Sequence, residues 1–491
     1  MNPIKNTFVT NGLVLAGSLL TSVLFTYQGL GLNSWLLTAC ILLVLRWQKP
    51  GLFQHKLFLL AALGLGLAAT CWLVIDTYIA RFTWLVFAWL LIGMSQAPFL
   101  RFIWYAFLLA FSTVVLVPWS GLENGIRSLN IKGKLLTRWG VLLIIPLLLV
   151  SFFFLLYSQA SPTFAGLFGH WEAWLQWLES ISNPGPFFGW AVIGFLLFGA
   201  LLWPSHFARF TQERDHLWPD ELVRQRPRHP RTNSILGLKR EYYIALISLA
   251  SLNGLLLLVN LTDVYTIWLG QAPRTAAALS EYVHEGTGFL ILSIVVASLV
   301  LLAFFRRNLH FYPDSVWLHR LAYCWIGQNL FLTFSVALRN GLYAHTYGLT
   351  YLRIGLFFFL TLVGIGLLSL AGKIRFRYSL YGLMRRNALA WLVALLGYTM
   401  VPWDLTITAY NLKPVRRAEL DVRHLLQDMA SAKNVVILQQ HRDVLPDDTY
   451  YSGEQLDAAL RQKEKQLTRS WHQKGPLGLT LMDRWLMAQL D

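Results

Sequence analysis

Residues 316–370 read VWLHRLAYCWIGQNLFLTFSVAL, then RNGLYAHTYGLTYLR from Arg339 to Arg353, then IGLFFFLTLVGIGLLSL. A helix needs roughly 20 apolar residues to cross the hydrocarbon core of a bilayer, and the first and last of these runs are of that kind. Hydrocarbon offers no partner to a backbone N–H or C=O, so such a run pairs its polar groups internally, as a helix. The fifteen residues between them carry two arginines, three tyrosines, a histidine and two threonines. They are either a connection between two spans or a place where the protein acts.

The rest of the chain extends this pattern. Of its 491 residues, 56% are hydrophobic and 14% aromatic, while 13% are charged, and the mean hydropathy is +0.49. A soluble domain carries about 25% charged residues, so a large soluble enzyme is excluded. The expected fold is all-α, a polytopic bundle of about 11–12 transmembrane helices with a small helical C-terminal tail. Candidate spans are 7–27, 33–46, 57–75, 81–97, 102–118, 140–157, 187–203, 242–261, 286–305, 318–338, 354–372 and 388–403. The N-terminal stretch lacks a strongly basic start and a small-x-small cleavage site, so it is expected to be a retained first helix.

The net charge of +16 belongs with topology, because basic loops mark the cytoplasmic side of a multi-spanning protein; no nucleic-acid partner is expected. Arginine-rich 204–241, FRRNLHFYPD (305–314) and KIRFRYSLYGLMRRN (373–387) are expected on that side. Alternation then puts 158–186, 262–285 and 339–353 outside. Within 158–186, Trp171, Trp174, Trp177 and Leu178 share a helical face, as in a helix lying at the outer interface. The early basic stretches 46–56 and 125–140 conflict, since an odd number of expected crossings separates them. Three regions follow: membrane helices over 1–139, a membrane core over 140–403 that includes the basic loop, and a soluble helical tail over 404–491. There is no visible internal repeat, which argues against a transporter of duplicated halves.

Ionisable residues in or beside spans are functional candidates by default. On a continuous helix Arg339, Tyr343, Thr346, Thr350 and Arg353 would form one stripe. Gly341 and Gly348 allow the other reading, a turn with the arginines capping two helices. Carboxylates on the same expected side are Asp263, Glu281, Glu285 and Asp404. The candidate site is therefore the polar cluster Arg339, Tyr343, Tyr347, Thr350, Arg353, Asp263, Glu281, His284, Glu285 and Asp404. It either pins the helices or binds an anionic group, for which a guanidinium fork is suited. The E-x-x-H unit at Glu281–His284 has its only counterpart at Glu213–His216, across the bilayer, so no metal site is expected. Nucleophile elbow, Walker loop and zincin motifs are absent. Cys40, Cys71 and Cys324 lie within apolar runs and read as small hydrophobes. No cofactor and no catalytic residue is expected.

The pattern R-x-x-x-Y-x-x-x-Y-G-L-T-x-x-R, on Arg339, Tyr343, Tyr347, Gly348, Leu349, Thr350 and Arg353, resembles a group of bacterial multi-spanning proteins. They are catalogued as domains of unknown function, of the forty-one-fifty-three and forty-one-seventy-three types. LSEYVHEGTGF, VPWDLTITAYNL and LDVRHLL resemble further segments of that group, and the resemblance covers roughly 140–430. It departs at His284 and Glu285, where the group carries a basic residue. The resemblance implies a multi-pass protein of the bacterial cytoplasmic (inner) membrane and implies no reaction.

The expected function is a non-enzymatic, transport- or envelope-related membrane protein whose outer cluster binds an anionic group. Its expected partners are the bilayer, an anionic lipid or small anion, and an envelope protein. The alternatives are a membrane-embedded transferase acting on a lipid-linked substrate, and a scaffold or sensor subunit.

Overall fold

The apolar runs become helices in the computed structural model, which describes residues 3–128, 150, 185–222, 234–269, 276–305, 309, 315–413, 422–429, 431–445 and 453–490. They are α1 (Pro3–Phe25), α2 (Leu32–Gln48), α3 (Lys56–Ile75), α4 (Tyr78–Gln96), α5 (Ile103–Ser128), α6 (Gly185–Leu202), α7 (Ala208–His216), α8 (Ser234–Asp263), α9 (Ala276–Phe304), α10 (Val316–Tyr347), α11 (Tyr351–Phe376), α12 (Leu380–Thr399), α13 (Trp403–Asn411), α14 (Val435–Gln440), α15 (Gly453–Gln473) and α16 (Leu481–Leu490). Among the described residues seven helices are long and apolar enough to cross a membrane, and α12 with α13, bent by 61°, is a broken span or a re-entrant pair. Leu32–Gln48, Pro186–Leu202 and Gly288–Phe304 are shorter apolar helices. The chain is an all-α, multi-pass integral membrane protein. The expected span 140–157 and the tryptophan face at Trp171–Leu178 lie outside the described residues.

Two compact units divide it, residues 1–215 with 469–488, and 216–468 with 489–491. In the first, helices approach through small residues, as they do where lipid removes any hydrophobic force between them. Gly17 lies under the Phe198 ring and Gly64 under the Phe87 ring. Ser18 donates to the Ala191 carbonyl at 2.6 Å and Ser22 to that of Phe187 at 2.7 Å, zipping α1 to α6.

At one end of this unit Lys49 donates from Nζ to the carbonyls of Leu201 (2.9 Å) and Ser95 (3.4 Å), closing the C-termini of α6 and α4. Burial pushes its amine down to about 8. Gln96 there accepts from the Ser205 N–H at 3.0 Å, so the 46–56 loop shares an end with the start of the 204–241 loop. Helix α5 stays beside that start: Thr113 bonds Ser205 at 2.9 Å and Glu123 faces His206 at 3.7 Å. The stretch 125–140 lies, from residue 129 on, outside the described residues.

At the α1–α2 and α3–α4 turns, residues 469–488 are seated. Gly475 donates to the Gln28 carbonyl at 3.1 Å, and Lys474 bridges Asp483 (2.7 Å) and buried Asp76 (3.8 Å).

In the second unit α8 and α10 run parallel, joined by a seam of amides deep in the bundle. Asn253 donates to the Leu321 carbonyl (3.1 Å), Gln328 to Asn253 Oδ1 (3.1 Å), and Asn260 to the Gln328 carbonyl (3.2 Å). An apolar core from Tyr242 to Leu383 surrounds this seam. At one end, Ser379 donates from N to the Asp220 carbonyl (2.8 Å) and from Oγ to that of Pro219 (2.6 Å). Lys373 donates to the carbonyls of Tyr378 (2.8 Å) and Phe305 (3.3 Å). The three basic segments of this half therefore meet at one end, as their common expected side requires.

A C-terminal lobe, residues 403–468, packs at the other end. Its core runs through Ile407, Leu412, Val422, Leu425, Leu426, Met429, Leu438, Leu445, Leu456 and Leu460, and it includes Ile354 of α11.

Candidate functional site

The motif stretch divides at Gly348. Helix α10 runs on to Tyr347, and Gly348 turns the chain at φ +83°, in the left-handed region that favours glycine. Thr350 then caps α11, its side chain accepting from the Arg353 N–H. The continuous stripe is thus broken. Arg339 and Tyr343 remain on α10, while Thr350 and Arg353 open α11.

Each arginine is directed at protein groups. Arg339, 6% exposed, donates from Nη2 to Asp263 Oδ1 of α8, itself 2% exposed. The neighbouring Ser335 accepts from Trp268 Nε1 at 3.1 Å, so a polar knot joins α8 to α10. Arg353 donates from Nη1 to the carbonyls of Tyr347 (3.1 Å) and Gly348, the last residue of α10 and its cap, which would otherwise lack helical donors. Its guanidinium lies 4.3 Å over the Tyr343 ring, and Tyr343 packs on Tyr347 with centroids 4.6 Å apart. Asn340 donates to the Arg353 carbonyl at 2.9 Å. Asp404 accepts from the Tyr351 hydroxyl. Glu281, His284 and Glu285 fall on α9, but their side chains lie outside the described residues. His345 is exposed on α10.

Two stretches singled out in the sequence meet here. Asn411, in the AYNL segment of α13, accepts from the Leu349 N–H at 2.6 Å and donates to the Leu349 carbonyl at 3.0 Å. The side chain of one motif thereby reads both backbone groups of a residue in the other. A Cβ on Gly348 would stand 2.7 Å from Asn411 Oδ1, so this contact needs glycine as much as the turn does.

Beside this junction an open groove of about 500 Å³ runs between α10, α11, α12 and α13. The bend at Met400–Pro402 makes the room, by turning α13 away from the axis of α12. Phe357, Phe358, Tyr398 and Trp403 furnish its aromatic wall, with Phe358 and Trp403 packed on Tyr398 at 4.8 and 4.9 Å. Trp403 Nε1 donates to the Tyr398 carbonyl at 2.9 Å, so the indole N–H is satisfied and the ring presents carbon. Gly341 and Gly397 leave gaps in the wall: a Cβ on Gly397 would meet nothing within 4 Å. Thr361 is the lone aliphatic hydroxyl of the lining. At the rim, exposed Lys413 stands 5.3 Å from the Tyr410 ring. Neither Arg339 nor Arg353 lines the groove.

The sequence singles out the 339–353 stretch but not the groove, Asn411 or Asn340. The signal was faint: an amide in the last turn of a short helix, and one glycine near the end of each of two long helices. It also missed Lys463, whose ammonium donates to the carbonyls of Leu425 (2.9 Å), Met429 (3.3 Å) and Ser431 (3.4 Å) and to Asn434 Oδ1 (3.0 Å). Burial lowers its amine to about 8, against the opposing field of Asp404. Among the described residues no group of histidines, cysteines and carboxylates could hold a metal ion.

Neither a curated protein nor a solved structure matches the chain. Over residues 32–440, which takes in the early helices beyond the reach of the motif, the sequence matches a family described as a domain of unknown function, and the chain belongs to that family, DUF4153.

Proposed function

We propose that this is an envelope-related protein of a bacterial cytoplasmic membrane that binds an anionic phospholipid at the outer end of its second unit. One acyl chain occupies the groove, and the headgroup lies at the rim. The observation that carries the reading is the groove's character: apolar, walled by membrane-spanning α10, α11 and α12, and open. The medium around such helices is hydrocarbon, and small-molecule sites are concave and mostly apolar with a few polar groups at fixed places. Lys413 supplies the positive charge that meets a phosphate. Trp403 and Tyr410 suit the headgroup level, where amphipathic rings settle.

On this reading the Arg/Tyr/carboxylate cluster is the frame of the site. Arg339 with Asp263 fixes α10 against α8, and Arg353 with Thr350 fixes the turn that forms one wall. The arginines act on the ligand through geometry, and the anionic group is met by the lysine.

The test is native mass spectrometry of the detergent-purified protein titrated with phosphatidylglycerol. Wild type should retain one lipid. Gly397→Leu, whose Cβ meets nothing within 4 Å and whose side chain fills the groove, should lose it while keeping its melting temperature. Equal retention by both proteins would sink the proposal.

A further inference from the structure

The groove and the C-terminal lobe share residues. Ile354, 5% exposed, belongs to the lobe's core and also lines the groove. Leu349, Tyr398 and Trp403 likewise pack against the lobe core and face the groove. One side of this layer is therefore the interior of the lobe, and the other is the wall a lipid chain would touch.

Asn411 fastens the layer to the lobe through both backbone groups of Leu349. Within the lobe, Lys463 gathers carbonyls at the end of the His424–Asp428 turn. The lobe's helices share one small core, which Ile354 of α11 completes.

We propose that occupancy of the groove regulates docking of the 403–468 lobe, so that the lobe reports to the aqueous side whether a lipid chain is bound. This rests on the lipid reading of the groove. The physical cause is contact: an acyl chain supplies partner atoms to side chains that otherwise face a gap, and such dispersion contacts, small singly, sum over a chain. Lifting the lobe carries Trp403 and Tyr410 out of the groove lining and uncovers Leu349 and Ile354, which dismantles the wall. A ligand that binds the docked state alone shifts the equilibrium towards it by a factor of 1 + [L]/Kd.

The experiment is hydrogen exchange on the full-length, delipidated protein in detergent, titrated with dioleoylphosphatidylglycerol, with native mass spectrometry on the same samples. At lipid ten times above its Kd, exchange in peptides covering 422–429, 435–440 and 456–467 should slow by about tenfold. Peptides of α3 and α4 should not change. If lipid binds and the lobe peptides exchange as before, the regulatory inference is overturned while the groove reading stands. If no lipid binds, both fall together.

Discussion

Asn411 gives the sharpest test of how the two motif stretches are joined. Its side chain, 6% exposed, accepts from one backbone group of Leu349 at 2.6 Å and donates to the other at 3.0 Å. Asn411→Leu keeps the volume and removes both bonds. A buried backbone group left without a partner costs about 1–3 kcal/mol, so two would cost about 2–6 kcal/mol. Leu349 is half-buried, and water recovers part of that, which leaves about 2–4 kcal/mol. At 1.4 kcal/mol per tenfold, the population with the lobe lifted should rise roughly 30- to 700-fold. Limited proteolysis at low protease reads this population directly, because cleavage then tracks the open fraction. Fragments cut within 422–468 should appear faster by that factor. Asn411→Asp keeps the acceptor for the Leu349 N–H but turns an oxygen towards the carbonyl, and should be no better. A cleavage rate within twofold of wild type would refute the reasoning.

Other consequences follow from the same geometry. Gly348→Ala places a Cβ 2.7 Å from Asn411 Oδ1 at a positive φ that costs about 1–3 kcal/mol for a side chain. It should match Asn411→Leu in proteolysis, and the double variant should cost less than the sum, because both lose one contact. Asp263→Leu leaves the buried Arg339 guanidinium without its carboxylate and should cost about 3–5 kcal/mol, whereas Asp263→Leu with Arg339→Met should recover most of that; thermal unfolding in detergent measures both, and a single-variant loss under about 1 kcal/mol would contradict the assignment. Lys463 sets a pH dependence. Its folded amine, lowered from 10.5 to about 8, loses its proton before the unfolded one does. Between those values the unfolded state holds more protons, so lobe stability rises with pH, by at most about 1.4 kcal/mol per pH unit. Below pH 8 the burial cost is fully present. Lys463→Met should flatten the rise in exchange protection measured from pH 7.5 to 9.5.

The membrane fold was legible because lipid imposes one rule on every span: twenty apolar residues pair their own backbone, and α3, α4, α10 and α11 obey it. What hydropathy could not reveal was where a span is broken. Met400–Pro402 bends α12 from α13 by 61°, yet VPWDL reads as the end of one span and the start of a tail. The motif's arginines were legible as unusual, since charge beside lipid demands a cause. Their partners were less so: Asp263 was one of four carboxylates expected on the arginines' side with none assigned to Arg339, and the backbone carbonyls held by Arg353 carry no side-chain signature. The groove was illegible for a related reason. It is made by what Gly341 and Gly397 lack, and by the angle between helices that no local pattern encodes.

The central claim is that a lipid chain sits against Phe357, Phe358, Tyr398 and Trp403. The direct measurement is photocrosslinking with a phosphatidylglycerol carrying a diazirine on its acyl chain, with adducts mapped by peptide mass spectrometry. The account predicts adducts concentrated on those four residues and lost in Gly397→Leu. Adducts spread over outward-facing positions such as Leu257 and Leu352, and unchanged by Gly397→Leu, would contradict it.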